Sequence, residues 1–590
     1  MARKLPHKDV VIVGLGWTGS IIANELCDEG LEVVALERGP WRDTATDFNI
    51  GYAPDELRYN SRQELMLRPA QTTVTARNNA DQTALPMRQF GSFHPGNGVG
   101  GAGVHWAGIT WRFSPADFRL RSHFTERYGA QAIPDDMTIQ DWGLTYEDME
   151  PYYDKFEYLA GVSGKAGNLN GQIQDGGNPF EGPRKREFPN PPMMQTYGPT
   201  LFAEAAAKMG YKPFPIPSSL LSRTYTNPLG VTMGQCTFCG FCTNYGCANY
   251  SKASAQTTVL PVLMRKSNFE LRTLCEVLKV NLDSTGKKAT GVTYVDTSGE
   301  ELEQTADLVI LCAFMLDNVR LMLLSGIGKP YDSRTGTGVV GRNFCYQMAN
   351  QVVGFFDPAK YNFNNFIGGG ATGMAIDELN NDNFDHGPLG FLGGGSTRCA
   401  PIGAEPISKR PTPPGTPAWG AGWKKAMRDS YLSNLSVGCE ASSYANRGNF
   451  LDLDPTYTDR LGRPLMRITF DFPENDVKMS AYVTKKVAEI VRAMGAQQSV
   501  EYPRTGPWST VPYQSTHVVG GTAMGADPST SVVNPFLQSW DVPNVFTVGA
   551  NVFPQNSGFN PTGTVGALAF RAADAIRSRY LKSPGPLVHA

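Results

Sequence analysis

The chain has 590 residues, 41% hydrophobic and 18% charged, with 53 basic against 55 acidic side chains and a formal net charge of -2. At about 100–200 residues per domain this length predicts two to four domains, and a chain this long buries large cores without covalent staples. The composition excludes a disordered or collagen-like protein, and the even charge excludes an electrostatic nucleic-acid binder. The N-terminal MARKLPHKDV leads straight into VIVGLG without a basic, apolar and small-residue succession, so no cleavable export signal is read there. Residues 9–13 (DVVIV) predict a buried parallel strand, 16–29 a helix and 31–36 (LEVVAL) a second strand, a βαβ opening. From about 40 to 125 the pattern dissolves into Gly-, Asn- and Pro-rich loops. Helices are expected over 145–160 and 199–210, separated by a polar, Gly-rich insertion near 163–192. The stretch 269–312 alternates as strands do, with turns at 283–286 and 296–299, and closes on ADLVILCA, the kind of apolar run a parallel sheet buries. The longest apolar run, 308–316, is about half of what a spanning helix needs. The chain is not expected to cross a membrane by itself. Residues 361–420 predict long loops over a site. A helix over 476–494 carries Val483, Val487, Ile490, Val491 and Met494 on one face. The tail gives one more strand (NVFTVGA, 544–550) and a closing helix from Thr562. No internal repeat is found. Strands from both ends are therefore expected to share one nucleotide-binding sheet, with a mixed substrate domain built from the middle.

Gly14-Leu-Gly16-Trp-Thr-Gly19 follows the first strand and opens the first helix, and Glu37 ends the second strand. Gly14 permits the tight turn, Gly16 lets backbone approach a pyrophosphate, and Gly19 lets helix and strand pack closely. The diphosphate then meets the positive end of a helix. Glu37 accepts from both ribose hydroxyls, which disfavours a 2′-phosphate. The fingerprint with its strand, helix and spaced acid is specific for a dinucleotide, but it does not separate FAD from NAD.

Three further segments carry a family resemblance: the 96–105 loop (GNGVGGAGVH), STHVVGGTAMG at 515–525, and Asn560-Pro561-Thr562 followed by ALAFRAAD. Together with the fingerprint they resemble the glucose-methanol-choline (GMC) oxidoreductases, in particular the large subunit of gluconate 2-dehydrogenase-like complexes. The resemblance implies FAD and a mixed α/β fold: a Rossmann-like FAD-binding domain with a GMC-type substrate domain on a mostly antiparallel sheet. It divides the chain into FAD-binding parts over 1–125 and 266–345, a substrate part with the cysteine segment over 126–265, a substrate domain over 346–515, and the closing catalytic and FAD-binding segment over 516–590. Gly100, Gly101, Gly549, Ala550 and Thr562 join Gly14, Gly16, Gly19 and Glu37 as expected cofactor contacts. Alcohol oxidation needs a hydride acceptor and a group to take the hydroxyl proton, and histidine suits that task near neutral pH. His517 is therefore read as the base, and Asn560 as an amide donor to the developing alkoxide. In relatives with a T-H-W triplet the histidine of the flavin loop is bonded to the flavin. This chain has Val104-His105-Trp106, so the resemblance implies a covalent link through His105 but lacks the hydroxyl residue.

Of ten cysteines, Cys236, Cys239, Cys242 and Cys247 fall within twelve residues. Disulfides are awkward among so many near neighbours, and structural zinc usually joins two separated pairs. A compact C-x2-C-x2-C run suits an iron–sulfur cluster. Related dehydrogenases carry a [3Fe–4S] cluster at such a segment, so the resemblance favours three irons over [4Fe–4S], while the spacing leaves both open. The other six cysteines are expected to pack as small apolar residues. The resemblance further implies electron exit to a multihaem cytochrome c, a small subunit carrying the export signal, a periplasmic address, and membrane attachment only through partners. The expected reaction is oxidation of a sugar or sugar-acid carbinol. A glucoside 3-dehydrogenase with the same electron route, an oxygen-using oxidase with a structural cluster, and a non-enzymatic electron-transfer subunit are the alternatives. Trp106, Trp111 and Arg112 are candidates to line the substrate site, with Arg112 meeting a carboxylate and His386 hydrogen-bonding a polyol.

Overall fold

The computed structural model describes residues 2–48, 64–88, 91–364, 367–401 and 412–589. The loops expected over 40–125 and 361–420 therefore lie partly outside the described residues.

The strand Arg3–Val13, the helix Trp17–Asp28 and the strand Val33–Leu36 form the βαβ opening. The first strand starts six residues before the expected Asp9. Arg3, Lys4 and Leu5 pair with Leu302, Glu303 and Gln304, so a distant partner recruits polar residues that have no strand pattern of their own. Strands Phe269–Arg272 and Val33–Leu36 flank this core in parallel, while Glu276–Leu282, Ala289–Val295 and Glu301–Leu311 run on as an antiparallel meander. The long strand Glu301–Leu311 changes neighbour halfway. Its 301–305 half pairs antiparallel with 291–295, and its apolar 309–311 half pairs parallel with Val545–Thr547. The C-terminal segment thus completes the sheet that the N-terminus begins.

A second sheet of six strands is antiparallel throughout, in the order Gln498–Tyr502, Met348–Phe355, Asn434–Ala441, Gly395–Cys399, Met374–Ile376 and Phe214–Pro215. The helix Glu474–Ala493 covers it, burying Met479, Val483, Val487, Ile490 and Val491 on one stripe. The loop expectation over 361–420 needs correction. Met374–Ile376 and Gly395–Cys399 are strands and Gly420–Ser430 is a helix, the strands being too short to show a period of two. Register places Ser396 opposite Glu440 and Arg398 opposite Gly438. Arg398 and Glu440 are therefore diagonal neighbours on one face. Among the described residues no helix is long and apolar enough to cross a membrane.

Candidate functional site

A cavity of about 450 Å³ opens where the parallel strands end, lined at one end by Gly14, Gly16 and Glu37 and at the other by Arg398, Glu440, His517 and Asn560. Gly14 has φ +91°, and a Cβ there would stand 2.8 Å from the Cys312 carbonyl oxygen. At Gly19 a Cβ would fall 2.1 Å from the Gly14 backbone oxygen, so turn and helix meet only because Gly19 lacks a side chain. Gly16 caps the helix without a side-chain hydrogen bond, which leaves the helix's first N–H groups for a ligand. Glu37 accepts from the N–H groups of Leu15 (3.0 Å) and Gly39 (2.8 Å), which fix its carboxylate at the cavity wall. Gly100 donates its N–H to Leu15 O at 2.7 Å, and Gly101, Gly549, Ala550 and Thr562 line the cavity.

At the far end the hydrogen bonds fix the protonation pattern. Gln347 Nε2 donates to the carbonyls of Ser557 (2.8 Å) and Phe559 (3.0 Å), so its Oε1 faces His517 Nδ1 at 2.6 Å as an acceptor. Nδ1 therefore carries the proton, and Nε2 keeps its lone pair. Trp111 Nε1 (2.9 Å) and Arg398 Nη1 (3.1 Å) both donate to Asn560 Oδ1. Asn560 Nδ2 then lies 3.1 Å from His517 Nε2 as a donor. Arg398 Nη2 pairs with Glu440 Oε1, and Glu440 Oε2 stands 3.8 Å from His517 Nδ1. Burial lowers the pKa of His517; Glu440 raises it and Arg398 lowers it further, with a net fall. A neutral imidazole beside an amide donor can take a proton while the amide holds the oxygen that loses it.

His517 and Asn560, 43 residues apart in the chain, are thus brought together. Two substrate candidates are not. Arg112 is buried outside the cavity wall, its Nε and Nη2 each 2.8 Å from Glu157 and its Nη1 3.2 Å from Glu150. Its charge is spent on an internal ion pair. His386 is buried too, with Nε2 2.8 Å from Asn381 O and 3.6 Å from Asp382. Trp106 lines the cavity, its Nε1 bonded to Ala253 O at 2.8 Å, whereas Trp111 contributes through Asn560. Sequence reasoning missed Gln347, Arg398 and Glu440. Their signal is faint: Arg398 and Glu440 are charged residues on strands built largely from small and apolar side chains, and Gln347 is a single polar residue between two strands.

His105 is 2% exposed, its Nε2 has no hydrogen-bond partner among the described residues, and burial drives its pKa down to about 3. Its backbone carbonyl accepts from Asn244 N at 2.8 Å, which docks the cysteine segment on the 96–105 loop. Lys252, 2% exposed, reinforces this: its Nζ donates to the carbonyls of Trp106 (2.7 Å), Cys242 (2.9 Å) and Tyr245 (2.7 Å). All ten cysteines are free thiols, and the six outside the cluster are buried. Cys236, Cys242 and Cys247 are half-buried and Cys239 is exposed. Among the described residues no three His, Cys, Asp or Glu side chains converge tightly enough to hold a metal ion. Burial pushes the Cys236 thiol up to about 12, and those of Cys239 and Cys242 also up.

Two family models described as GMC oxidoreductase match residues 200–349 and 445–569. The gluconate 2-dehydrogenase flavoprotein of Pantoea cypripedii is 48% identical over 100% of this chain and 97% of its own. The chain belongs to the GMC oxidoreductase family. The fructose dehydrogenase large subunit of Gluconobacter japonicus is 26% identical over 98% of this chain and 99% of its own. In fold, this GMC oxidoreductase resembles the crystal structure of pyridoxine 4-oxidase from Mesorbium loti, with a TM-score of 0.58 at 17% identity, covering 97% of this chain and 100% of that one. Membership makes it an FAD-dependent oxidoreductase of alcohols or sugars. The residues present fit FAD: a glycine cradle where Cβ atoms would collide, an uncapped helix end, and a buried imidazole nitrogen without a partner among the described residues.

Proposed function

We propose that the protein is a dehydrogenase that oxidises a carbinol of a sugar acid such as gluconate. The observation that carries this is the His517–Asn560 pair, with its tautomer fixed, facing the cavity. FAD, when bound, supplies the hydride acceptor at N5. His517 Nε2 takes the hydroxyl proton, and Asn560 Nδ2 donates to the oxygen as charge builds on it. Gly14, Gly16 and the helix end would hold the FAD pyrophosphate, with Gly19 supporting the turn and Glu37 available to its ribose. Gly101, Gly549, Ala550 and Thr562 would shape the rest of the cofactor wall, with Gly100 behind them bonded to Leu15. His105 is read as the point of covalent attachment, a role supported by its neutral ring, whose Nε2 has no hydrogen-bond partner among the described residues. The substrate class follows the 48% identical relative, whose name states gluconate oxidation.

The segment holding Cys236, Cys239, Cys242 and Cys247 is read as the seat of an iron–sulfur cluster, [3Fe–4S] in preference to [4Fe–4S]. Thiol chemistry, spacing and docking against the 96–105 loop support it. The thiols as they stand do not surround one point, so assembly turns them inward and releases their protons. Electrons would leave by this segment to a cytochrome c partner. The chain would work in the periplasm, held at the inner membrane by that cytochrome and a small subunit bearing the export signal. The FAD-binding unit is assigned to 1–125, 266–345 and 516–590, and the substrate unit to 126–265 and 346–515.

Anaerobic mixing of the holoenzyme with D-gluconate is expected to bleach the flavin. His517→Ala should keep the flavin and lose turnover by about 100-fold or more; near-normal turnover would sink the assignment. Rapid peroxide formation in air without an added acceptor would favour an oxidase. Iron and sulfide assays with electron paramagnetic resonance on the reconstituted protein test the cluster.

A further inference from the structure

Among the described residues four arginines line the cavity. Arg38 pairs with Asp317 at 3.1 Å, Arg320 with Asp459 at 2.7 Å, and Arg463 with Asp459 at 2.8 Å and with Glu276. Arg398 is the one that meets Asn560, at 3.1 Å. Its side chain stays 17% exposed, and among the described residues only two of its five N–H donors have partners, Asn560 Oδ1 and Glu440 Oε1. Glu440 Oε2 has no hydrogen-bond partner among the described residues.

The amide of Asn560 acts as a ruler. Its Nδ2 faces His517 Nε2, where the reacting hydroxyl must sit, and its Oδ1 faces the guanidinium. Both atoms hang from one carbon, so the proton-accepting nitrogen and the free guanidinium edge are one functional group apart. That is the separation of a hydroxyl and a carboxylate on adjacent carbons. We infer that Arg398 receives the carboxylate of an α-hydroxy acid and so directs oxidation to the carbon next to it. This rests on the sugar-acid reading above and adds the residue that recognises the acid and selects the carbon. The carboxylate takes the unused N–H fork, and Glu440 Oε2 accepts a hydroxyl further along the chain. In the reaction the O–H and C–H bonds break and a C=O bond forms. The proton goes to His517 Nε2, the hydride with its electron pair goes to FAD, and the product is a 2-oxo acid. With the imidazolium formed and the hydride gone, Arg398 and His517 balance Glu440 and the product carboxylate.

The test compares D-gluconate with the neutral D-gluconamide on the flavin-loaded enzyme under anaerobic stopped flow. The wild type should favour gluconate by about 100-fold in kcat/KM, mostly through KM, with the 2-oxo acid as product. In Arg398→Gln this preference should collapse to within about threefold. Because that variant leaves the half-buried Glu440 without its guanidinium partner, the double variant R398Q/E440Q is measured beside it and should show the same collapse. Arg398→Lys should retain part of the preference. If Arg398 merely props Asn560, both substrates lose rate equally and the ratio survives, which overturns the inference while gluconate remains a substrate. A wild-type flavin that gluconate does not reduce overturns the sugar-acid reading itself.

Discussion

At the scale of single residues the site depends on a side chain outside the cavity wall. Gln347 has its Nε2 committed to two carbonyls, so its oxygen has only one orientation to offer His517. Gln347→Leu should keep the flavin spectrum but cost about 100-fold in kcat/KM, because the imidazole is then free to put its proton on the wrong nitrogen. The pH profile separates this from simple damage. Burial holds the His517 pKa below its ordinary 6.5, so the neutral base persists and activity should hold on the acid side of that value. Glu440→Gln removes the group that raises the pKa and should move the acid limb lower still. Gln347→Glu places a carboxylate on Nδ1–H, favours the imidazolium, and should move the limb up. His517 and Asn560 were legible in the sequence because each sits in a motif with its own glycines or proline. Gln347 was not, since one glutamine between the strands Cys345–Tyr346 and Met348–Phe355 looks like any other until the fold sets it 2.6 Å from an imidazole.

At the scale of elements, the cysteine segment and the 96–105 loop behave as one piece. Lys252 holds three carbonyls from both sides with a single buried ammonium. Lys252→Met would leave those carbonyls without their donor. It should cost about 3 kcal/mol or more and raise hydrogen exchange over 236–250, and reconstituted iron should fall with it. Unchanged exchange and iron content would show that backbone contacts alone suffice. The cysteine spacing was readable because thiols at C-x2-C-x2-C intervals are rare, and the lysine was not because it binds no cofactor, only backbone. Arg112 shows the converse. Its place near the 96–105 loop in sequence suggested a substrate contact, but a buried guanidinium needs acids, and Glu150 and Glu157 come from the helix Tyr146–Ala160, which was expected but whose packing against Arg112 no local pattern states.

At the scale of the whole molecule, the first and last strands belong to one sheet, and the closing helix Thr562–Ala575 packs on both Trp17–Asp28 and Tyr146–Ala160. A chain ending before Val545 should therefore bind no flavin and show weak protection along Arg3–Val13, as absorbance and hydrogen exchange would report. The βαβ opening and the apolar strand at 309–311 were legible from local pattern. The handover within Glu301–Leu311 was not, because no local pattern states which neighbour a strand will take. That handover also sets a clock. On a ribosome adding about 5–20 residues per second, the strand Arg3–Val13 waits through nearly three hundred residues for its partner Glu301–Leu311, and the latter waits again for Val545–Thr547. Synthesis of the whole chain takes roughly half a minute to two minutes at that pace. Through that interval the nascent sheet presents open, apolar edges, so folding helpers that shield strands are expected to meet this protein early, and its cofactor late.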